Sequence, residues 1–189
     1  MTNYIIETPR LLIRELLPED VDGMFDMDSD PDVHRYVGQT PLKTKEEVAA
    51  VIKYVRQQYA DFGIGRWAVI GKEHGDFLGW TGFKLMKEET NGLVDFYDFG
   101  YRFARKAWGK GIGTEAARAS LNYGVSELRL KQVYAMTDPE NKASRRILEK
   151  LGFRFVSLFT FDRPTAWRPP DNQTATWYEL PMQGDQMFP

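Results

Sequence analysis

The sequence predicts a mixed α/β fold, one sheet with helices packed on it, and three observations predict it. Short apolar segments of strand composition stand at both ends of the chain and cluster in its middle. Helix-period segments with their own cap signals separate them. No internal repeat, linker or break in composition divides the 189 residues, so a single domain spanning residues 1–189 is expected, long enough to enclose a real core.

The elements follow in order. Glu7-Thr8-Pro9-Arg10 leads into a first strand at Leu11–Arg14. Pro18-Glu19-Asp20 opens a helix, because proline and acidic residues suit a first turn. Thr44 followed by Glu47 matches a capping box, and Val48, Val51, Ile52, Val55 and Tyr59 then share one helical face. Gly63 ends that helix near Phe62. Trp67–Ile70 and Phe77–Leu85 read as strands joined by a turn at Gly75-Asp76. After a polar loop from Glu88 to Gly92, Leu93–Phe103 reads as one long aromatic strand. Ala117, Leu121, Val125 and Leu128 give helical spacing to residues 114–128. A strand is expected at Gln132–Met136 and a helix from Asn141 to Leu151, stopped by Gly152. Strands at Arg154–Phe161 and Thr174–Leu180 close the chain, with a proline-bearing loop at residues 163–171 between them.

Composition excludes several functions. Apolar residues are 42% and charged residues 28% of the chain, an ordinary globular balance. A net charge of −2 provides no global basic field for nucleic acid or anionic membrane. The absence of cysteine removes thiolate nucleophiles, thiolate metal ligands and disulfides together, and fits a reducing, cytoplasmic setting. His34 and His74 stand far apart, so no histidine-rich metal centre is expected. The first residues lack the basic and apolar regions of a secretory signal, and no apolar run reaches the length of a membrane span.

The most informative stretch is Trp108-Gly109-Lys110-Gly111-Ile112-Gly113-Thr114, which follows an expected strand and opens an expected helix. Glycines let backbone turn tightly and approach a ligand without a Cβ in the way. The first N–H groups of the helix then point outward with the positive end of its dipole behind them, a seat for pyrophosphate. A nucleotide P-loop needs Ser or Thr after its lysine, but Gly111 follows Lys110. A dinucleotide turn needs G-x-G-x-x-G after a βαβ start, and here the spacing is G-x-G-x-G after several strands.

The stretch resembles the acetyl-CoA pyrophosphate loop of GNAT acyltransferases, Q/R-x-x-G-x-G/A, with Trp108 at the Gln/Arg position. Three other stretches resemble the ribosomal-protein alanine/serine N-terminal acetyltransferase branch of that superfamily. They are Glu7–Leu11, Asp98-Phe99-Gly100-Tyr101, and Asn141-Lys142-Ala143-Ser144 with Leu148–Phe153. The resemblance implies a mixed, mostly antiparallel central sheet flanked by helices, acetyl-CoA as co-substrate, no metal, and a monomer or homodimer. It implies direct attack of an amine on the thioester, which suits a chain without cysteine. It places cofactor contacts along Trp108, Gly109, Lys110, Gly111, Ile112, Gly113 and Thr114, and the backbone of Phe103 and Ala104 beside the acyl group at a splay between strands.

The remaining tasks are to deprotonate the amine and protonate the leaving thiolate. Ser144 is the candidate acid: the resemblance implies that it lies near the sulfur and that Asn141 bonds the pantetheine chain, while Asn141 also reads as a plain N-cap with Ser144 beside it. Asp98 is the candidate base, with Tyr97, Tyr101 or a water as alternatives and a structural acceptor as the competing role. A subset of Arg105, Lys106, Lys110, Arg145 and Arg146 is expected to meet phosphates. Tyr36, Trp67, Trp80, Tyr97, Trp167 and Trp177 divide between core and acceptor cleft, and His34 reads as a surface residue. The expected activity is acetylation of a protein or peptide N-terminal α-amine; the alternatives are a small amine, or a sensor that binds acyl-CoA without turnover.

Overall fold

The structure is a computed structural model that describes residues 4–38, 40–161 and 174–181. The loop expected at residues 163–171, with Trp167, lies outside the described residues.

Among the described residues eight strands form one sheet, β1 (Ile6–Glu7), β2 (Leu11–Glu15), β3 (Arg66–Gly71), β4 (Phe77–Met86), β5 (Phe96–Phe103), β6 (Val133–Thr137), β7 (Arg154–Thr160) and β8 (Thr174–Glu179). Their spatial order is β1-β2-β3-β4-β5-β6-β8-β7. Every neighbouring pair is antiparallel except β5 with β6, which is parallel. The crossover between that parallel pair is α4 (Ile112–Ser126), as a parallel connection requires.

Helices cover both faces. On one, α1 (Val21–Asp28) and α3 (Lys45–Phe62) bury Met24, Met27, Val48 and Ile52 against Ala68 and Ile70 of β3. On the other, α4 and α5 (Lys142–Lys150) bury Ala117, Leu121 and Leu148 in the core that holds Phe83, Phe99 and Phe103. Strand alternation therefore assigns β5 cleanly: Phe99, Tyr101 and Phe103 lie under α4 and α5, and Asp98, Gly100 and Arg102 face the α1–α3 side.

The capping box at α3 is present, with Thr44 Oγ1 accepting from Glu47 N–H at 3.3 Å and Glu47 Oε2 accepting from Thr44 N–H at 3.2 Å. Thr44→Ala should cost about 1 kcal/mol, read as a lower urea midpoint at unchanged slope.

Several boundaries differ from expectation for local reasons. The two-residue β1 pairs with Leu12 and Ile13 and is too short to carry a periodic signal. A four-residue α2 (Pro31–His34) forms because the Asp30 side chain accepts from Asp32 N–H at 2.8 Å and Pro31 presets the first turn. The long aromatic strand begins at Phe96 rather than Leu93. Thr90 and Leu93 close a tight turn by exchanging backbone hydrogen bonds, and Asp95 adopts a left-handed φ of 57°. His34 is buried, not on the surface, with Nε2 3.5 Å from Asp28 Oδ1. Among the described residues no helix is long and apolar enough to cross a membrane.

Candidate active site

β5 ends at Phe103 and the chain enters a 3-10 turn at Arg105–Ala107. Trp108 Nε1 donates to Phe103 O at 2.8 Å, pinning the turn to the strand end, while its ring stays half-exposed. Gly109 and Gly111 adopt φ of 71° and 76°, the left-handed region that glycine enters without penalty. Gly111 is the N-cap of α4, and no side chain caps the first N–H groups of that helix. These donors are left for a ligand. Gly113 has a different purpose: a Cβ there would lie 3.2 Å from the Phe103 ring and 3.4 Å from Ile147, so its bareness lets the helix approach the strand.

A clamp that sequence reading missed holds this loop. Arg10 Nε and Nη2 grip Glu115 Oε2 at 2.7 and 2.6 Å, and Arg10 Nη1 donates to the Lys110 carbonyl at 2.8 Å. Thr8 Oγ1 donates to Glu115 Oε1 at 2.6 Å. Burial resists ionisation of Glu115, but the bonds from Thr8 and Arg10 outweigh it and hold its carboxyl below the usual glutamate value. A depressed carboxyl contributes stability above its unfolded value and loses it as pH falls through the folded one. The stability difference between wild type and Glu115→Gln should therefore be greatest above the ordinary value of 4.5 and shrink in more acidic solution, as followed by denaturation at stepped pH.

Beside the loop the sheet opens. β5 and β6 pair only at Tyr97/Val133 and Asp98/Tyr134, although β5 runs on to Phe103 and β6 to Thr137. Ala104 N–H donates across to Leu78 O at 2.9 Å, so the facing pair Gly79/Phe103 is of the non-hydrogen-bonded kind. The backbone groups of Phe103 and Tyr101 consequently point away from β4, into the gap. The gap is the splay that the resemblance implied. Ala104, expected beside the acyl group, instead spends its N–H in the sheet and does not line the cleft.

A cleft of about 850 Å³ runs through this gap and joins the two faces of the sheet. On the α4–α5 side it is lined by Phe103, Trp108, Gly109, Gly111, Gly113 and Thr114, with Asn141 and Ser144 of the α5 start. The side chains of Lys110 and Ile112 are not part of that wall; Ile112 packs into the core. Asn141 is the N-cap of α5, its Oδ1 accepting from Ser144 N–H at 3.1 Å, which leaves its amide NH₂ for a ligand. Tyr101 Oη donates to the Ser144 carbonyl at 2.9 Å and lies 3.2 Å from Ser144 Oγ. Burial pushes the Tyr101 phenol far up, so it keeps its proton at neutral pH and suits a donor rather than a base. Of the basic residues, Arg105 and Arg146 line the cleft, whereas Lys106 is 3.5 Å from Asp76 and Arg145 is turned to Tyr178 and the Pro139 carbonyl.

On the α1–α3 side the wall contains Tyr36, Arg66, Trp80, Lys84, Asp98 and Arg102. Trp80 lies between two guanidinium groups, those of Arg66 and Arg102, each 5.4 Å from its ring centroid. Arg102 reaches Asp28 at 2.7 Å. Asp98 is bound to Arg66 through Oδ2, and Arg66 also donates to the Asp98 and Gly82 carbonyls. Burial pushes the Asp98 carboxyl up against the pull of Arg66. Protonating it would nonetheless strand the buried Arg66 charge, a cost that a base would meet at every turnover.

The fold and this cleft agree with known proteins. An acetyltransferase (GNAT) domain model matches residues 10–154. The chain belongs to the GNAT acetyltransferase family. The uncharacterized N-acetyltransferase p20 of Bacillus licheniformis is 31% identical over 151 residues, covering 80% of this chain and 83% of that protein. The crystal structure of a GNAT-family acetyltransferase from Bacillus anthracis superposes with a TM-score of 0.72 at 26% identity, covering 93% of this chain and 96% of that one. RimL, a ribosomal L7/L12 alpha-N-protein acetyltransferase, shares the fold with a TM-score of 0.77 at 13% identity, covering 95% and 94%. The protein is an acetyltransferase of this family, which transfers acetyl groups from acetyl-CoA to amines. The cleft fits that donor: bare helix N–H groups and open glycines stand at one end and an unpaired strand edge beside them.

Proposed function

We propose that this acetyltransferase acts on an α-amine at a peptide or protein N-terminus. One observation carries the reading: the cleft contains no free carboxylate among the described residues. Asp98 is bound to Arg66, and Asp32 is shared by Arg35 at 2.6 Å and Arg105 at 2.9 Å. A site without a strong base needs an acceptor that sheds its proton readily. An α-amine has a reference pKa of about 8, against about 10.4 for a lysine-type alkylamine, so far more of it is neutral at pH 7. A polyamine would also meet the Lys84 cation, with Asp98 already paired to Arg66 and Asp28 to Arg102.

The roles then follow from position. The α4 N-terminus receives the pyrophosphate, and Arg146 lines the same cleft. The strand edge at Tyr101 and Phe103 offers N–H groups to pantetheine and to the oxyanion. The neutral amine nitrogen bonds to the thioester carbon, the carbon–sulfur bond breaks, the surplus proton on nitrogen leaves to water, and the departing thiolate, hydrogen-bonded by Ser144 Oγ beside the Tyr101 hydroxyl, takes up one proton by way of Ser144 to leave as free thiol. Asp98 holds Arg66 and thereby the cleft wall. Tyr101→Phe with Ser144→Ala should cut kcat by about a hundredfold, the scale of general acid catalysis, and change acetyl-CoA affinity little.

The test is a thiol-release screen across N-terminal peptides, N-acetyl-blocked peptides bearing only lysine amines, and polyamines. Turnover of free N-termini alone is expected. Exclusive turnover of polyamines or lysine side chains would replace the reading with a small-amine or side-chain transferase.

A further inference from the structure

The acceptor wall carries a charge that the protein itself leaves unbalanced. Arg66, Lys84, Asp98 and Arg102 lie on one sheet face, placed there by strand alternation and by the pairings Lys84/Asp98 and Trp80/Arg102 across β4 and β5. Asp98 is consumed by Arg66, and Arg102 by Asp28. Asp28 is itself buried between Arg102 and His34, so it has nothing to give the cleft. Asp32 is divided between Arg35 and Arg105. Lys84 remains. Its ammonium lies 5.6 Å from the centroid of the Tyr54 ring. Its charge also acts on Asp98, which faces it across β4 and β5, but Asp98 makes its ion pair with Arg66. Lys84 lines the cleft together with Met86, the last residue of β4 and the one farthest along that strand from the Gly79/Phe103 pair beside the phosphate loop. A group lying against Lys84 is therefore attached to the acceptor, not to the phosphate-bearing end of the donor.

We infer that the acceptor brings a carboxylate of its own to Lys84, close behind the reacting amine. The inference deepens the α-amine reading. The shared chemistry is an amine with an acidic group a few bonds away, and it has two sources: a peptide with Asp or Glu just after its N-terminal residue, or a free amino acid. The pairing also serves specificity, since a cationic neighbour at the same place would be repelled. No bond is made or broken at Lys84, which acts by binding alone.

The experiment compares kcat/KM, by thiol release, for matched peptides that differ only at the second and third residues, Ser-Asp-Glu, Ser-Ala-Ala and Ser-Lys-Lys, alongside free aspartate. Wild type should prefer the acidic over the lysine peptide by about tenfold or more, as expected for exchanging attraction for repulsion at one partly shielded charge. The Lys84→Glu variant should reverse that order and gain on the lysine peptide, a rescue that a merely structural lysine would not give; acetyl-CoA affinity should stay constant. Free aspartate outperforming every peptide identifies the amino-acid source, and acidic peptides outperforming aspartate identify the peptide source. A wild-type preference for the lysine peptide, or an order unchanged in Lys84→Glu, overturns the inference. If only alkylamines turn over, the α-amine reading fails by itself. β-Alanine against ethylamine then tests the carboxylate requirement, and equal rates would overturn it.

Discussion

Replacing Gly111 by tryptophan is expected to weaken acetyl-CoA binding by about a hundredfold or more while the protein still folds. Gly111 is the N-cap of α4, and its position carries no Cβ in front of the helix N–H groups that would meet the pyrophosphate. An ideal Cβ there finds only Arg10 Nη2, at 3.5 Å, so a side chain would project into open space over the donors. The folding cost is bounded: φ of 76° is left-handed, which costs a non-glycine residue roughly 1–2 kcal/mol. Gly109→Ala separates the two effects. That residue has φ of 71° and nothing within 4 Å of its Cβ, so alanine bears the same backbone strain without covering the helix end. Calorimetric titration should show Gly109→Ala binding within a few-fold of wild type and Gly111→Trp not binding measurably. Equal losses in both would mean that loop strain, not occlusion, governs affinity.

The second large effect concerns Asp98. Asp98→Ala should destabilise the protein by about 3–5 kcal/mol, the usual result of stranding one member of a buried ion pair. The pair is well enclosed, with side-chain exposure of 13% for Arg66 and 14% for Asp98. Gly100 is bare because a Cβ there would sit 3.0 Å from Arg66 Nη2, so the guanidinium packs directly against the β5 backbone. Asp98→Asn keeps the shape and removes the charge. It should lower the melting temperature and leave the pH–rate profile rising with deprotonation of the acceptor amine. Unchanged stability with rates abolished across the pH range would restore Asp98 as the base.

Features fixed by neighbouring residues were readable in the sequence. The glycine loop, the Thr44/Glu47 box and the Asn141 cap each depend on contacts within a few positions, and the corresponding helices occur where those signals put them. Long-range pairings were not readable. Arg10 and Glu115 are 105 positions apart, and nothing in Thr8-Pro9-Arg10 announces that its guanidinium braces the phosphate loop. Arg66 and Asp98 meet only through the β3-β4-β5 register, so Asp98 stood as a candidate base where the fold gives it an arginine. Tyr101 and Ser144 meet because alternation turns Tyr101 under α5. The splay itself depends on where a parallel pairing stops, a property of two strands separated by a helix. His34 followed an Asp-Pro-Asp stretch that reads as surface, but α2 folds it against Asp28.

On the proposed reading acetyl passes directly from acetyl-CoA, cradled at α4, to an amine in the cleft. Thiol release from acetyl-CoA, measured with and without an N-terminal peptide and read together with the intact mass of the protein, tests it most directly. Release is expected only when the peptide is present, with one acetylated peptide per thiol and a protein of unchanged mass throughout. Thiol release without peptide, with acetyl accumulating on the protein, would contradict direct transfer, and tight acetyl-CoA binding without release on any amine would leave a sensor in place of an enzyme.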